Sequence, residues 1–283
     1  MDTRSLPALY ISHGSPMIAL EPREAGRFLQ RLGPAIETAF GRPRAVLAVS
    51  PHTATHRPVL LADVRHEAVH DFGGFPPALY ELRYDAPGAP DLAADARALL
   101  SNAGFDVPAL PSGGLDHGIW TVLRHMWPQA DVPVLPLSLA PALKPAEQWR
   151  IGRALATLRE QGVLVLGTGS LTHNLRHVFQ RPVDAPATPE TLDFSNWVAG
   201  RTAARDWEAL LDYRARAPHA REMHPTDEHW LPFYIAAGAG STDDDVPQRL
   251  HASVEHGVLA MDAYAFGAGA ADLQAALLSR PAG

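Results

Sequence analysis

Three of the chain's 14 histidines stand at the ends of short apolar segments that have the character of buried β-strands. Ligands of open α/β sheets bind at the carboxyl ends of the strands, so we expect these histidines to meet at one rim of a sheet. Neutral imidazole binds zinc, iron, copper and nickel, and two or three imidazoles leave positions open for substrate or water. The sequence therefore predicts a catalytic metal site. The histidines are His13 after residues 8–12, His52 after residues 45–50, and His173 after residues 163–166.

Two further segments place histidine where a helix is expected to begin. His117 follows Asp116, and Glu228 and His229 follow Thr226, which is a suitable N-cap residue. Non-heme Fe(II) oxygenases bind iron through two histidines and one carboxylate. His13 and His52 complete such a set with Glu228, or an all-histidine set with His229, and the sequence leaves both sets open.

The opposing interpretation is that each histidine is only a hydrogen-bonded or surface residue, which is the commoner role of a single histidine. No HExxH motif and no GxSxG motif is present, so the usual zinc protease and serine hydrolase signatures are missing. The segment Gly167-Thr168-Gly169-Ser170 lacks the lysine of a phosphate-binding loop. The strand-end positions thus carry the metal-site prediction.

Composition excludes several other classes of protein. The chain of 283 residues has no cysteine, which rules out a disulfide scaffold, an iron–sulfur cluster and a thiolate nucleophile. Its formal net charge of −7, with no basic stripe, argues against a nucleic-acid partner. We find no apolar run of membrane-spanning length and no signal-like N-terminus, so we expect a cytoplasmic protein without a membrane partner.

Apolar strand-like segments alternate with helical ones, which predicts an α/β fold with a largely parallel or mixed, buried sheet. A chain of this size can bury a full core as one domain, and we expect a single domain over residues 1–283. A Gly/Pro-rich loop over residues 66–90 is long enough to suggest a functional role, and residues 241–245 predict a polar surface loop. Strands are expected at 8–12, 45–50, 58–62, 132–139, 163–166 and 254–265, and helices at 23–40, 92–100, 145–160, 189–214 (as one or two) and 270–279.

Several of these segments together resemble the class III extradiol ring-cleaving dioxygenases, and within them the DOPA 4,5-dioxygenase-like branch. The matching segments occur in order over most of the chain. One departure is Pro51-His52-Thr53, where the branch commonly has an Ala-His-Trp-like segment, so the pocket wall beside His52 is smaller. The segments are Ser12-His13-Gly14-Ser15-Pro16, His70-Asp71-Phe72-Gly73-Gly74-Phe75-Pro76, Tyr84-Asp85-Ala86-Pro87-Gly88, Asp116-His117-Gly118, His173-Asn174-Leu175 and Glu228-His229-Trp230-Leu231-Pro232.

The resemblance implies a single α/β domain, with a central mixed sheet, that binds one divalent metal ion, Zn²⁺ or Fe²⁺. It implies metal ligation by His13, His52 and His229, with His173 as a fourth ligand or as an acid–base group. His117 is implied to line the pocket and to assist proton transfer or oxygen orientation. The implied substrates are O₂ and a catechol such as DOPA, with both oxygen atoms entering the ring-opened product.

Two alternatives remain open beside the dioxygenase. One is a zinc-dependent hydrolase or amidohydrolase on the same scaffold, which needs no oxygen. The other is a metal-binding module without catalysis. The oligomeric state is also left open. Arg176 is a candidate for binding a substrate carboxylate, but a place on a solvated helix face is the commoner role of such a residue.

Overall fold

The computed structural model describes residues 5–241 and 244–279. Within these ranges we label twelve β-strands, twelve α-helices and two short 3₁₀ helices, the latter at Pro16–Ala19 and Ala156–Gln161. The strands are β1 Ala8–Ser12, β2 Ala45–Val49, β3 Leu60–Leu61, β4 Arg65–His66, β5 Ala86–Pro87, β6 Ala109–Leu110, β7 Val134–Pro136, β8 Val163–Gly169, β9 Gln248–His251, β10 Val254–Glu255, β11 Leu259–Ala260 and β12 Ala263–Phe266. The helices are α1 Arg23–Phe40, α2 Pro77–Tyr80, α3 Pro90–Asn102, α4 His117–Met126, α5 Pro145–Leu155, α6 Leu175–Val178, α7 Pro189–Ala203, α8 Trp207–Leu211, α9 Tyr213–Arg216, α10 Ala220–Met223, α11 Leu231–Gly240 and α12 Ala270–Leu278.

A six-stranded mixed sheet in the order β7-β2-β8-β1-β12-β9 forms the centre of the molecule. The neighbours β7, β2, β8 and β1 run parallel, whereas β12 runs antiparallel to both β1 and β9. Every residue of β1, β2 and β8 is buried. Unbroken apolar runs of this kind are typical of strands covered on both faces. The predicted α/β fold, a single domain with a mixed sheet flanked by helices, is confirmed.

Helices cover both faces of the sheet because alternate strand residues point to opposite sides. Tyr10, Leu47 and Val165 pack in the apolar cluster that includes α5 and α11, whereas residues next to them pack in the cluster that includes α1, α4 and α12. Helices α5 and α11 approach closely at Gly152, where an added Cβ would lie 2.1 Å from the carbonyl oxygen of Ile235. Any larger residue there would push α11 away from the sheet.

The parallel order of β1, β8 and β2 places their carboxyl ends side by side at one rim. Ser12 pairs with Gly169 across β1 and β8, and Val49 pairs with Gly167 across β2 and β8. The chain leaves the sheet at these points toward His13, His52 and His173. The topology therefore brings the strand-end histidines to a common rim.

Other predicted elements differ from the structure in instructive ways. The strand expected over residues 254–265 is a hairpin of β10 and β11 followed by β12, and only β12 joins the central sheet. The expected strand at 58–62 is only β3, which pairs with β6 outside that sheet. The helical region 189–214 is divided into α7, α8 and the start of α9, and the loop expected at 241–245 lies partly outside the described residues.

The helix start expected at Thr226 is also wrong. Helix α11 begins at Leu231, and the Thr226 hydroxyl donates to the Glu228 carboxylate instead of capping the helix. Within the described ranges, no helix is both long and apolar enough to cross a bilayer.

A buried histidine away from the strand ends makes stability depend on pH. His224 is fully buried, its Nε2 lies 2.8 Å from the Leu171 carbonyl oxygen, and its Nδ1 has no partner. Burial lowers its pKa to about 3. Below pH 6.5 the unfolded chain gains a proton here that the folded chain does not, so stability is lost as the pH falls toward 3.

Between pH 7 and pH 5, His224 is expected to lower the free energy of unfolding of the wild type by about 2 kcal/mol. We expect His224→Gln to lack this part of the decrease. Urea unfolding at both pH values, in chelator to keep metal away, measures the difference between variant and wild type. Equal pH dependence in the two proteins would show that His224 does not contribute.

Candidate functional site

Three histidine rings converge at the rim through the same ring atom. His52 Nε2 lies 3.1 Å from His13 Nε2 and 3.3 Å from His229 Nε2. His13 directly follows β1, His52 lies in the turn after β2, and His229 lies in the turn before α11. His13 and His229 are almost fully buried, whereas His52 lines a cavity. The structure thus brings together two strand-end histidines and one that belongs to a loop 177 residues further along the chain.

The tautomer of His13 is fixed by the chain around it. The Thr168 hydroxyl on β8 donates to the carbonyl oxygen of Gly118 at 2.9 Å. Its only proton is then engaged, so Thr168 Oγ1 accepts from His13 Nδ1 at 2.9 Å. His13 therefore carries its proton on Nδ1 and presents the lone pair of Nε2 toward His52.

Glu228 fixes the tautomer of His229 in the same way. Its Oε1 lies 3.3 Å from His229 Nδ1 and accepts from the Thr226 hydroxyl at 2.9 Å. Partial burial alone would raise the pKa of Glu228, but the hydrogen bonds from His229 and from its own backbone prevail and lower it to about 2. An ionised Glu228 accepts the Nδ1 proton and leaves the His229 Nε2 lone pair facing His52. The carboxylate therefore orients the imidazole, and it also belongs to the group of His173, Glu228 and His229 that could hold a metal ion.

The contacts among the three Nε2 atoms point to a cation. Neither His13 nor His229 can donate from Nε2, and His52 has one Nε2 proton at most. The two short contacts cannot both be linear hydrogen bonds, so at least one pair of lone pairs faces each other. Nitrogens that bind one tetrahedral metal ion at 2.0–2.1 Å lie about 3.3 Å apart. The spacings of His13 and His229 from His52 are therefore those of ligands of one metal ion. Among the described residues, two groups have ligand atoms within 4.8 Å of one another and could hold a metal ion: His13, His52 and His117, and His173, Glu228 and His229.

The cluster is neutral at neutral pH. Burial, followed by the neighbouring histidines, lowers the pKa of His13, and the same causes lower the pKa of His52 to about 3. Burial also lowers the pKa of His229, although Glu228 partly opposes this. Neutral imidazole is the form that ligates metals.

His117 and Asp71 form a dyad beside the cluster. Both Asp71 carboxylate oxygens lie 3.0 Å from His117 Nδ1, and Oδ1 also accepts from the His117 backbone N–H at 2.9 Å. The His117 ring lies 3.9 Å from the His52 ring between centroids. Asp71 Oδ2 is also 3.6 Å from His52 Nδ1, so one carboxylate faces both rings.

The ring of His173 lies face to face with the ring of His229. The two rings are stacked, with centroids 3.5 Å apart and planes within 9°. Burial, and then the neighbouring His229, lowers the pKa of His173 to about 2. His173 also belongs, with Glu228 and His229, to a group whose ligand atoms lie within 4.8 Å of one another. Its position is therefore compatible with a ligand role and with a proton-transfer role.

All of these rings except His13 line one cavity of about 520 Å³. Phe72 and Phe75, from the Gly/Pro-rich loop at 66–90, form part of its wall, and the Phe72 ring lies edge-on to His117. The volume is within the range of small-molecule sites. The loop therefore supplies both the wall and Asp71, as its length suggested.

Some functional contacts were missed by the sequence reasoning. Asp116 accepts hydrogen bonds from the hydroxyls of Ser50 and Thr53 and from the Ile119 backbone N–H, so it joins the His52 turn to the start of α4. Thr168 was not predicted to contact His13, because nothing in its sequence segment distinguishes it from other residues of a buried strand. Asp71 stands in one of the segments that carry the resemblance, but its hydrogen bonds with His117 were not predicted. A carboxylate adjoining a motif histidine is the one signal that hinted at Asp71.

An α/β sheet with a histidine cluster at the carboxyl rim and an adjoining cavity is typical of metal-dependent enzymes that act on small molecules. Comparison with known families makes the class definite. The model for the catalytic LigB subunit of aromatic ring-opening dioxygenase matches residues 7–267. The chain belongs to this family of aromatic ring-opening dioxygenases.

Individual proteins agree with the family assignment. The chain is 34% identical over 260 residues to a 4,5-DOPA dioxygenase extradiol of Beta vulgaris, covering 91% of this chain and 95% of that one. It is 33% identical over 266 residues to the protein of the same name from Escherichia coli K12, covering 92% and 94%. The crystal structure of an uncharacterized Escherichia coli K12 protein superposes with a TM-score of 0.74 at 28% identity, covering 93% of this chain and 100% of that chain.

Proposed function

We propose that this protein is an Fe(II)-dependent extradiol dioxygenase that cleaves the ring of a catechol such as DOPA and inserts both atoms of O₂. The convergence of three histidine Nε2 atoms beside a cavity is the observation that carries the proposal. The relatives named 4,5-DOPA dioxygenase extradiol support the substrate class. The whole of residues 1–283 is proposed to act as one catalytic domain.

His13, His52 and His229 would hold the metal ion. When bound, Fe²⁺ would lower the pKa of the catechol hydroxyls and supply the redox chemistry that zinc lacks. Thr168 and Glu228 accept hydrogen bonds from the Nδ1 atoms of His13 and His229, which holds the two ligand rings in orientation. Such outer partners orient the ligands and raise their basicity.

His173 and His117 handle protons in this proposal. His117 is buried and His173 is half-buried, both line the cavity, and a neutral imidazole accepts a proton from a hydroxyl within hydrogen-bond reach. Asp71 accepts from His117 Nδ1, so Nε2 of His117 is the free acceptor and the imidazolium that forms is stabilised by the carboxylate. Phe72 and Phe75 cover this side and exclude water from the ring that is cleaved.

The metal requirement is tested by anaerobic reconstitution with Fe(II) or Zn(II), followed by oxygen uptake on a panel of catechols that includes DOPA. We expect uptake and a new visible absorbance with iron only. Equal turnover with zinc in the absence of oxygen would instead support the hydrolase.

The orienting role of Glu228 predicts a weaker metal site when its charge is removed. We expect Glu228→Gln to reduce Fe(II) affinity about 10- to 100-fold, because His229 loses the carboxylate that holds its Nδ1 proton. Competition against a chromophoric chelator measures the affinity. Glu160→Gln is the matched control, since Glu160 is exposed on the turn before the opposite end of β8. An unchanged affinity in Glu228→Gln would refute the role.

A further inference from the structure

The cavity next to the histidine cluster is lined by two arginines and two glutamates that the proposed chemistry does not use. They are Glu21, Arg23, Arg181 and Glu255. Arg23 and Glu21 pair with each other, with Nη2 and Oε2 2.5 Å apart. Among the described residues, neither Arg181 nor Glu255 has an oppositely charged group within 4.0 Å. The cavity wall therefore presents one unpaired cation and one unpaired anion.

The Arg181 guanidinium is held in place but is not satisfied. Its Nε is buried and has no hydrogen-bond acceptor, and its Nη2 makes only a long contact of 3.5 Å to the Pro186 carbonyl oxygen. The side chain lies over Gly257, where an added Cβ would be 3.1 Å from both Nε and Nη2. The buried Nε is out of reach of a ligand in the cavity, so an arriving anion would meet the Nη atoms of Arg181.

Glu255 lies on the neighbouring segment of the same wall. The backbone N–H of His256 donates to the Val183 carbonyl oxygen at 2.8 Å, and His256 Nδ1 lies 2.9 Å from the Arg181 carbonyl oxygen. Residues 181–183 and 255–257 are thus joined side by side. Burial raises the pKa of Glu255, with Arg23 opposing the rise, so a bound cation would favour its ionised form.

We infer that Arg181 and Glu255 are specificity residues that bind the carboxylate and the ammonium group of a zwitterionic substrate tail. The inference rests on the proposed function, since the catechol ring of the same molecule would face His52 and His173. Arginine offers a planar pair of donors that matches a carboxylate, and Glu255 accepts from an ammonium group. DOPA, the substrate example of the proposed function, carries such a tail, and what is new is the assignment of its two charges to Arg181 and Glu255. Arg176, the arginine considered from the sequence, is exposed and does not line the cavity.

Four catechols distinguish binding of the carboxylate from binding of the ammonium group. DOPA carries both, dihydrocaffeate only the carboxylate, dopamine only the ammonium, and methylcatechol neither. Their dissociation constants are measured by calorimetry without oxygen on the zinc-loaded protein. We expect Arg181→Gln to weaken DOPA and dihydrocaffeate about tenfold or more and to leave dopamine unchanged, and Glu255→Gln to weaken DOPA and dopamine but not dihydrocaffeate.

The unaffected ligand in each variant shows that the variant is folded, and Arg176→Gln serves as the matched control with no expected change. Failure of DOPA to bind the wild type, or weakening of all four catechols alike, would overturn the inference. Binding is measured without turnover, so the two claims separate. If each variant weakens only the catechols with the matching charge, but the iron-loaded protein takes up no oxygen, the dioxygenase is refuted and the roles of Arg181 and Glu255 are supported. If the iron-loaded protein takes up oxygen, but the variants do not discriminate among the catechols, the dioxygenase is supported and those roles are refuted.

Discussion

The substitution His52→Ala is expected to abolish ring cleavage by removing the central member of the metal site. His52 Nε2 is the atom that lies near both His13 Nε2 and His229 Nε2, at 3.1 and 3.3 Å. Loss of an outer partner of a ligand costs 10- to 100-fold in metal affinity, and loss of the ligand itself is expected to cost at least about 100-fold. Chelator competition for Fe(II) and oxygen uptake with DOPA measure the two effects.

His56→Ala provides a close control for this substitution. His56 lies four residues further along the chain and is exposed, so its removal is expected to change neither metal affinity nor activity. Because His52 is only partly buried, its truncation is also expected to leave the fold intact. Retention of wild-type Fe(II) affinity by His52→Ala would contradict the proposed ligand set.

Replacing His173 with phenylalanine is expected to separate proton transfer from metal binding. Phenylalanine preserves a ring for the stack on His229, whose centroid lies 3.5 Å away, but removes both nitrogens. Loss of a general base typically costs 10²–10⁴-fold, so we expect kcat to fall by about that factor. Fe(II) affinity is expected to stay within about threefold of the wild type, because His13, His52 and His229 are the proposed ligands.

The same variant distinguishes the two roles that the sequence left open for His173. A loss of Fe(II) affinity as large as that of His52→Ala would make His173 a fourth ligand. Loss of kcat with the metal retained supports the acid–base role. The His117→Phe variant, measured in parallel, is expected to lower kcat without loss of metal. The size of that decrease measures how much the dyad of His117 and Asp71 contributes to kcat.

The central sheet and its rim follow from local features of the sequence. Residues 45–49 and 163–166 are unbroken apolar runs, and their burial is confirmed. The end of each apolar run marks the carboxyl end of a strand. Because the carboxyl ends of parallel strands lie at one rim of the sheet, His13 and His52 were predicted to meet there. The helix at residues 23–40 was predicted with the bounds that the structure has, since its apolar face and its ends are local signals.

Other features depend on contacts between residues far apart in sequence. His229 joins the cluster through a loop before α11, and nothing in its own segment states which of Glu228 and His229 faces inward. The hydrogen bonds of Glu228 with Thr226 and His229 bear on that choice, and they form only when the chain is folded. Thr168 acts on His13 through a hydroxyl whose proton is directed by Gly118, a carbonyl 50 residues away in the chain. Such arrangements arise from tertiary packing and leave no pattern in a single sequence.

The product of the iron-loaded protein with DOPA tests the proposed reaction most directly. Mass spectrometry after a single turnover in oxygen compares the product with the substrate, while an oxygen electrode counts the O₂ consumed. We predict one O₂ per catechol and a ring-opened product whose mass equals that of the substrate plus both oxygen atoms. A quinone lighter by two hydrogens, or a product formed without oxygen uptake, would contradict extradiol cleavage by this site.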